Sequence, residues 1–286
     1  MAISIGLGGS GGIGAQVSKL MRTVAAEVVL PRYQHLRAGE IAEKSPGEVV
    51  TCVDLEAELR LSAGLADLLP SALLVGEEAV AADPSLLDKV GEGVVWLIDP
   101  LDGTRNYSEG RAPFGMMVAL VVDGEPQMGW MLDPLTDRMC FAERGQGAYC
   151  DDARVTTDST PRDRPIAALG THFLSPRRRE QVHAAASPHF ERVAVPMCAA
   201  ESYPRLVLGR DDIMLFQRSL PWDHAAGALF VTEAGGRISH WDLSDYRVGG
   251  PSSGILAARD ARLWERAAEV LIAPAAGYSV ALERAA

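Results

Sequence analysis

The chain has 286 residues, of which 48% are hydrophobic and 23% charged, and its formal net charge is −11. That length supports one large domain or two smaller ones around a sizeable core. The negative charge argues against nucleic acid as a partner, since phosphate backbones select Lys and Arg. No apolar run approaches the ~20 residues needed to cross a membrane.

Residues 1–14 are glycine-rich and contain Gly6-Leu7-Gly8-Gly9-Ser10-Gly11, a literal GxGxxG. A dinucleotide fingerprint needs a full strand before it and, further on, an apolar strand ending in an acid. Only Met1 to Ile5 precede it, and Pro31 with polar sequence follows, so the segment reads as a leader. Nothing in it has the form of a signal peptide, and the expected compartment is the cytoplasm. The four cysteines (Cys52, Cys140, Cys150, Cys198) form no CxxC pair, which argues against a zinc site or a disulfide framework.

From residue 15 to 30 the apolar positions Val17, Leu20, Met21, Val24 and Val28 predict a helix. Residues 31–47 are mixed and polar. Val49 to Val53 reads as a strand or as the lead-in to a helix, with Asp54 as N-cap for Leu55 to Leu69 and Pro70 ending the run. Ala72 to Val75 is a short strand that runs into Gly76-Glu77-Glu78. A second apolar run, Val94 to Ile98, stops at Asp99-Pro100-Leu101-Asp102-Gly103-Thr104. Met116 to Val122 and Gln127 to Leu132 form a hairpin across Asp123-Gly124, continued by Arg138 to Glu143 and Gly147 to Cys150. The polar, Pro-containing stretch 156–165 is expected to divide the chain into halves, 15–160 and 161–286. The second half alternates. Strands are predicted at 166–169, 192–196, 212–216, 237–240 and 255–258, and helices near 176–186, 202–208, 221–234 and 261–272.

Four acidic spots sit where an apolar strand meets the next element: Asp54, Glu77-Glu78, Asp99 with Asp102, and Asp223. Strand ends are where sites collect, although an Asp or Glu there is ordinarily a cap or a solvated turn residue. Asp54 and Asp223 each open an apolar helix, Glu78 stands beside Glu77, and Thr104 also has the form of a cap. Asp99 and Asp102 are harder to explain in that way, because Pro100 and Gly103 fix a sharp turn that points both carboxylates to one side. Carboxylates are ligands for hard cations such as Mg²⁺, and backbone N–H groups at a helix start are donors for phosphate. The two together suggest phosphoryl chemistry. Bound cations would also reverse the local sign of a chain whose charge otherwise repels a phosphate ester.

In these segments the chain resembles the inositol monophosphatase family of Mg²⁺-dependent, Li⁺-sensitive phosphatases. Asp99 to Thr104 matches its DP(I/L)DGT motif. Pro221-Trp222-Asp223-His224-Ala225-Ala226-Gly227, running on to Thr232-Glu233-Ala234-Gly235-Gly236, resembles its WDxAAG…EAGG signature. Gly76-Glu77-Glu78, Lys44-Ser45-Pro46 with Val50 to Asp54, and Gly145-Gln146-Gly147-Ala148-Tyr149 also resemble family segments. The matches run in family order from about residue 15 to 258. The resemblance implies an α+β fold, the layered αβαβα sandwich shared with fructose bisphosphatases. It also implies a homodimer and the hydrolysis of a small soluble phosphate monoester by water, with no covalent intermediate.

By position, the resemblance implies that Glu78, Asp99 and the Leu101 carbonyl hold a first Mg²⁺. Asp99, Asp102 and Asp223 would hold a second, with a third, weaker ion near Glu78. Thr104 and Asp54 would orient or deprotonate the attacking water, beside Glu78 at the catalytic centre, while the backbone of Gly103 and Thr104 holds the phosphate. Asp102, Asp223, Cys198 and Ala199 would line the substrate, with Met197-Cys198-Ala199-Ala200 replacing the family's G-[ST]-A-A. Counting back without gaps from Trp222-Asp223 puts Phe216 where the inositol phosphatases carry a Glu against ring hydroxyls; a one-residue slip brings Gln217 there. An apolar side chain cannot accept those hydrogen bonds. Histidinol phosphate, 3′-phosphoadenosine 5′-phosphate and fructose bisphosphate therefore stand beside inositol and sugar phosphates as family substrates, with a non-catalytic metal- and phosphate-binding member as the alternative from another class. Arg177-Arg178-Arg179 reads as a solvated helix face, with contact to a second phosphate as its alternative.

Overall fold

The computed structural model describes residues 12–276 apart from 46, 47, 158, 159 and 252, so the Gly6–Gly11 motif and most of the leader expected at 1–14 lie outside the described residues. Helix α1 (Ile13–Val24) continues through one π-type turn (Ala25–Val29) into a last turn, α2 (Leu30–Arg32). It buries Val17, Met21, Val24 and Val28, the stripe that the spacing predicts. The polar stretch that follows holds a strand that no apolar run marks. β1 (Ile41–Ser45) pairs antiparallel with β2 (Glu48–Thr51), and both are only half-buried. α3 (Cys52–Leu68) begins earlier than its apolar pattern suggests. Its N-cap is Thr51 rather than Asp54: Val53 N–H donates to Thr51 Oγ1 at 3.1 Å, and Thr51 N–H donates to Asp54 Oδ2 at 2.8 Å. Thr51 and Asp54 thus form a capping box, with Asp54 at the third helical position.

β3 (Leu73–Gly76) runs into α4 (Glu77–Ala82), and β4 (Val94–Asp102) into α5 (Thr104–Ser108). The meander of β5 (Gly115–Val122), β6 (Glu125–Asp133), β7 (Arg138–Glu143), β8 (Gly147–Cys150) and β9 (Ala153–Val155) completes a seven-stranded sheet in the order β3-β4-β5-β6-β7-β8-β9. Beyond the 156–165 stretch come β10 (Ile166–Gly170), α6 (Pro176–Ala186), β11 (Glu191–Val193), α7 (Ala199–Val207), β12 (Ile213–Phe216), α8 (Pro221–Glu233), β13 (Arg237–His240), β14 (Ile255–Ala258) and α9 (Ala261–Ala276). Their strands form a second sheet, β11-β10-β12-β14-β13.

Strand alternation sorts the core into layers. On the first sheet Trp96, Ile98, Met116, Val118, Leu120 and Trp130 face α1 and α3, where they meet Met21, Val53, Leu61 and Leu65. Val95, Leu97, Met117, Ala119 and Val121 face the other way, onto Tyr203 and Leu206 of α7 and Ala225, Ala226 and Leu229 of α8. The second sheet repeats the scheme. Met214, Ile255 and Ala257 join the same middle core, while Ile213, Leu215, Leu256 and Ala258 pack on Val182 of α6 and Trp264, Ala267 and Leu271 of α9. The result is five layers, αβαβα.

The middle layer fits tightly. A Cβ on Gly129 of β6 would come 2.7 Å from the Ala226 Cα and 3.0 Å from its carbonyl oxygen, both backbone atoms of α8. Ala226 lies one turn after Asp223, so this contact sets the depth at which α8 carries that carboxylate. Gly129→Ala is expected to push α8 off the sheet and destabilise the protein by about 1–3 kcal/mol. Urea unfolding reads this as a lowered midpoint, and an unchanged midpoint would contradict the close contact.

Candidate active site

In a straight strand, residues three apart point to opposite faces. β4 departs from this where its carboxylates lie. Up to Asp99 it alternates, with Val95, Leu97 and Asp99 on the α7–α8 side. Asp99 then pairs with Met117 and Asp102 with Gly115, a step of three on β4 against two on β5. This bulge sends the Leu101 side chain into the α1–α3 core, where it is fully buried, and returns Asp102 to the side of Asp99. Pro100, with no N–H to give to the ladder, sits inside the slip. Asp102 there meets the start of α7: Ala200 N–H donates to its Oδ2 at 2.6 Å.

β3 and α8 bring two more acids to the same point. β3 is parallel to β4 with Gly76 opposite Ile98, so one further step in that register sets Glu77 beside Asp99. Asp223 enters in the first turn of α8. Oxygens of Glu77, Asp99 and Asp223 all lie within 4.8 Å of one another. Glu78, expected among the ligands, is not in this group. Consecutive helix residues diverge by about 100°, so only one of the pair can face Asp99. The Glu78 carboxylate is instead bonded by the Lys44 ammonium, and its N–H donates to Glu58 Oε2 at 2.8 Å. Lys44, from β1, also lies 2.9 Å from Glu77, and so ties the half-buried hairpin to the acidic centre. Its partner strand is held by the Glu48–Arg218 ion pair.

Asp54 and Thr104 are brought together across 50 residues. Thr104 Oγ1 is 3.0 Å from Asp54 Oδ1 and 2.8 Å from the Leu101 carbonyl oxygen, while Thr51 Oγ1 donates to Asp54 Oδ2 at 2.6 Å. The turn that starts α5 depends on Gly103, which has φ +81°; a Cβ there would lie 3.1 Å from the Pro113 carbonyl oxygen and 3.2 Å from Cys198 Cβ. Next to the acids is a cavity of about 180 Å³ lined by Asp102, Asp223, Cys198, Ala199, Phe216 and Gln217, among others. Cys198 is buried against the Asp102 carbonyl, with Sγ 3.8 Å from it. Phe216 ends β12, stacked on Tyr203 at 5.5 Å with its ring against His224 at 4.9 Å. The side-chain oxygen of Gln217 is buried without a hydrogen-bond partner. A larger cavity, about 900 Å³, lies between α1 and the β7–β8 edge and contains none of these residues.

Lys44 and His224 were legible only as parts of motifs, and Tyr203 carried no signal in the sequence. Tyr203 and His224 form a buried pair, Tyr203 Oη to His224 Nδ1 at 2.8 Å, with Nε2 2.9 Å from the Arg218 carbonyl oxygen. A carbonyl only accepts, so Nε2 carries the proton and Nδ1 accepts from the tyrosine. Burial pushes His224 down to about 4, so this neutral form persists at physiological pH.

The acids resist ionisation. Burial pushes Asp54 up to about 6, against the hydrogen bonds from Thr51 and Thr104. Burial pushes Glu58 and Glu78 up to about 7. Asp99, Asp102 and Asp223 are raised by burial and then by the negative charge of Glu77 and of one another. Lys44 moves the other way: burial opposes its charge, but Glu77 and Glu78 hold it above the ordinary ammonium range. An all-oxygen set of carboxylates, buried at Asp99 and half-buried at Glu77 and Asp223, that cannot all ionise side by side is suited to hard divalent cations.

Comparison with known proteins bears on the family and the fold. Residues 15–278 match the model of the inositol monophosphatase family. An inositol-1-monophosphatase of Bacillus subtilis is 28% identical over 224 residues, covering 76% of this chain and 81% of the relative. A Nus factor SuhB of Xylella fastidiosa is 30% identical over 227 residues, covering 77% and 79%. Among solved structures, an IMPase of Thermotoga maritima superposes with a TM-score of 0.77 at 22% identity, over 91% of this chain and 96% of that one, and so supports the fold.

The raised carboxylates give a signed prediction. Their folded-state pKa values exceed the unfolded ones, so their contribution to stability is complete below about pH 4 and is lost as pH rises through about 6 to 7. Asp99 and Asp223 are raised in the same direction by burial and by neighbouring negative charge, and a cation held between them would compete with their protons. Saturating Mg²⁺ should therefore raise the thermal midpoint by roughly 5 °C at about pH 8 and far less at about pH 5. Differential scanning fluorimetry reads both; no shift at either pH would mean that the cluster does not bind the ion, and equal shifts that its carboxylates exchange no protons for it.

Proposed function

The chain belongs to the inositol monophosphatase family, and on that footing we propose that it is a phosphate monoester hydrolase working with two or three Mg²⁺ ions on a small phosphorylated metabolite. The observation that carries this is the convergence of Glu77, Asp99 and Asp223 on one point, beside the Thr104–Asp54 contact. Glu77, Asp99 and Asp223 would hold one ion, and the family resemblance adds the Leu101 carbonyl, which accepts from the Thr104 hydroxyl. Asp99, Asp102 and Asp223 would share a second, and the Glu77–Glu78 edge suits a third. Bound there, Mg²⁺ would supply positive charge to the phosphoryl oxygens and make water more acidic near neutral pH.

The chain's own groups do the rest. Asp54, held by Thr51, faces the Thr104 hydroxyl, so the pair can orient a water and accept its proton. The N–H groups of Gly103 and Thr104, at the turn that opens α5, are donors for the phosphate. Cys198, Ala199 and Phe216 form an apolar wall toward the leaving alcohol, with the Gln217 oxygen as an acceptor for a hydroxyl. No cysteine or histidine nucleophile is required. A homodimer in the cytoplasm follows from the same family reading, and no helix among the described residues is long and apolar enough to cross a membrane.

Phosphate release from p-nitrophenyl phosphate and a panel of sugar and polyol phosphates, with and without Mg²⁺, tests the activity. Asp99→Asn should lower kcat by about a hundredfold or more, and near-normal turnover would remove the metal role. Glu77→Gln should raise the Mg²⁺ concentration for half-activity by about tenfold or more, and Glu78→Gln by much less. The reverse order would restore Glu78 as the ligand.

A further inference from the structure

A second cavity of about 290 Å³ adjoins the one that contains Asp102 and Asp223. The two share His172, Val195 and Met197 in their walls. The shared wall sets the two cavities side by side. Met197, with φ +58° and 46% exposed, stands at this junction.

The lining of this second cavity reverses the charge of the molecule. Four basic side chains reach it, His172, Arg179, His183 and Arg192, and no acidic one does, in a chain of net charge −11. Arg179, the last of the three consecutive arginines, is not a solvated helix charge. Its Nε donates to the Thr171 carbonyl at 3.1 Å and its Nη2 to that of His172 at 2.7 Å, which pins the loop after β10 and leaves a positive charge at the cavity. His183 Nε2 lies 3.0 Å from Thr171 Oγ1. Arg192 projects from β11, the edge strand of the second sheet, and is exposed. It takes part in none of the ion pairs among the described residues. The imidazoles register this field: burial first, then Arg192 and Arg179, pushes His183 toward its neutral form, and burial with Arg179 and Arg218 does the same to His172.

We propose that this cavity is an anion subsite, so that the substrate carries, beside the phosphoryl group that is cleaved, a second anionic group, phosphate or carboxylate, held by Arg192 with His172, His183 and Arg179. The proposal rests on the phosphatase activity argued above. A neutral polyol would leave the Arg192 guanidinium, and the positive charge that Arg179 keeps at the cavity, without a partner of opposite charge. An anion satisfies them with charge-assisted hydrogen bonds.

Matched substrate pairs test it, with the full-length protein and Mg²⁺. Glucose 1,6-bisphosphate against glucose 1-phosphate reads a second phosphate; 3-phosphoglycerate against glycerol 3-phosphate reads a carboxylate. The readout is the ratio of kcat/KM within each pair. A ratio of about ten or more in either pair is expected, and it should fall by about tenfold in Arg192→Glu and be kept in Arg192→Lys. Circular dichroism and the thermal midpoint establish that both variants are folded. Ratios near one in both pairs, or a preference that survives Arg192→Glu, overturn the subsite while leaving the phosphatase standing. No phosphate release from any of the four esters overturns the activity and the subsite with it.

Discussion

The governing constraint of this molecule is the cost of holding several carboxylates at one buried point. In a low-dielectric interior each carboxylate loses hydration and gains repulsion from its neighbours. The chain offsets this locally, acid by acid. Asp54 accepts from Thr51 and faces Thr104. Asp99 Oδ1 accepts from the Leu101 N–H at 3.1 Å. Asp102 accepts from the first turn of α7, and Glu58, one step behind, accepts from the N–H groups of Glu78 and Ala79 at 2.8 Å each. Lys44 adds a positive charge from the β1–β2 hairpin. These contacts make the arrangement tolerable without making it neutral, and the residual negative charge is what attracts cations.

The layered architecture serves this centre. The polar stretch at 156–165 separates the two sheets in sequence, but the helices that follow it do not stay with the second sheet. α7 and α8 fill the space between both sheets, so Asp223, from late in the chain, comes to rest against strands formed from its first half. The centre therefore requires β3, β4, the start of α7 and α8 to be in place together. The tight contact of Gly129 with Ala226 fixes the last of these.

Much of this was legible in the residues. The apolar runs Val94 to Ile98 and Met116 to Val122, with the turn at Asp123-Gly124, gave away the meander, and the i, i+3, i+4 spacing of Val17 to Val28 gave away α1. The acids at strand ends were visible as a set because each interrupts an apolar run. What stayed hidden depended on pairing. β1 has no apolar run because it is half-exposed on both faces. Glu77 and Glu78 are equivalent as sequence, and only the parallel register of β3 against β4 decides which of them meets Asp99. Asp54 looked like an N-cap because it precedes the apolar stripe, whereas Thr51 takes that place with the better geometry. The basic cavity was out of reach for a related reason: Arg179 and His183 stand on α6, and Arg192 on β11 joins them only in the folded chain.

The bulge in β4 turns strand length into information. Val94 to Ile98 acts as a reading frame, and its phase determines whether Asp99 opens toward α8 or into the apolar layer under the sheet. Exchanges among aliphatic side chains within that run leave the phase intact. A single deletion there would shift it by one, putting a carboxylate where Ile98 now lies and a hydrocarbon at the acidic centre. For this segment, evolution can vary the letters freely but not their number.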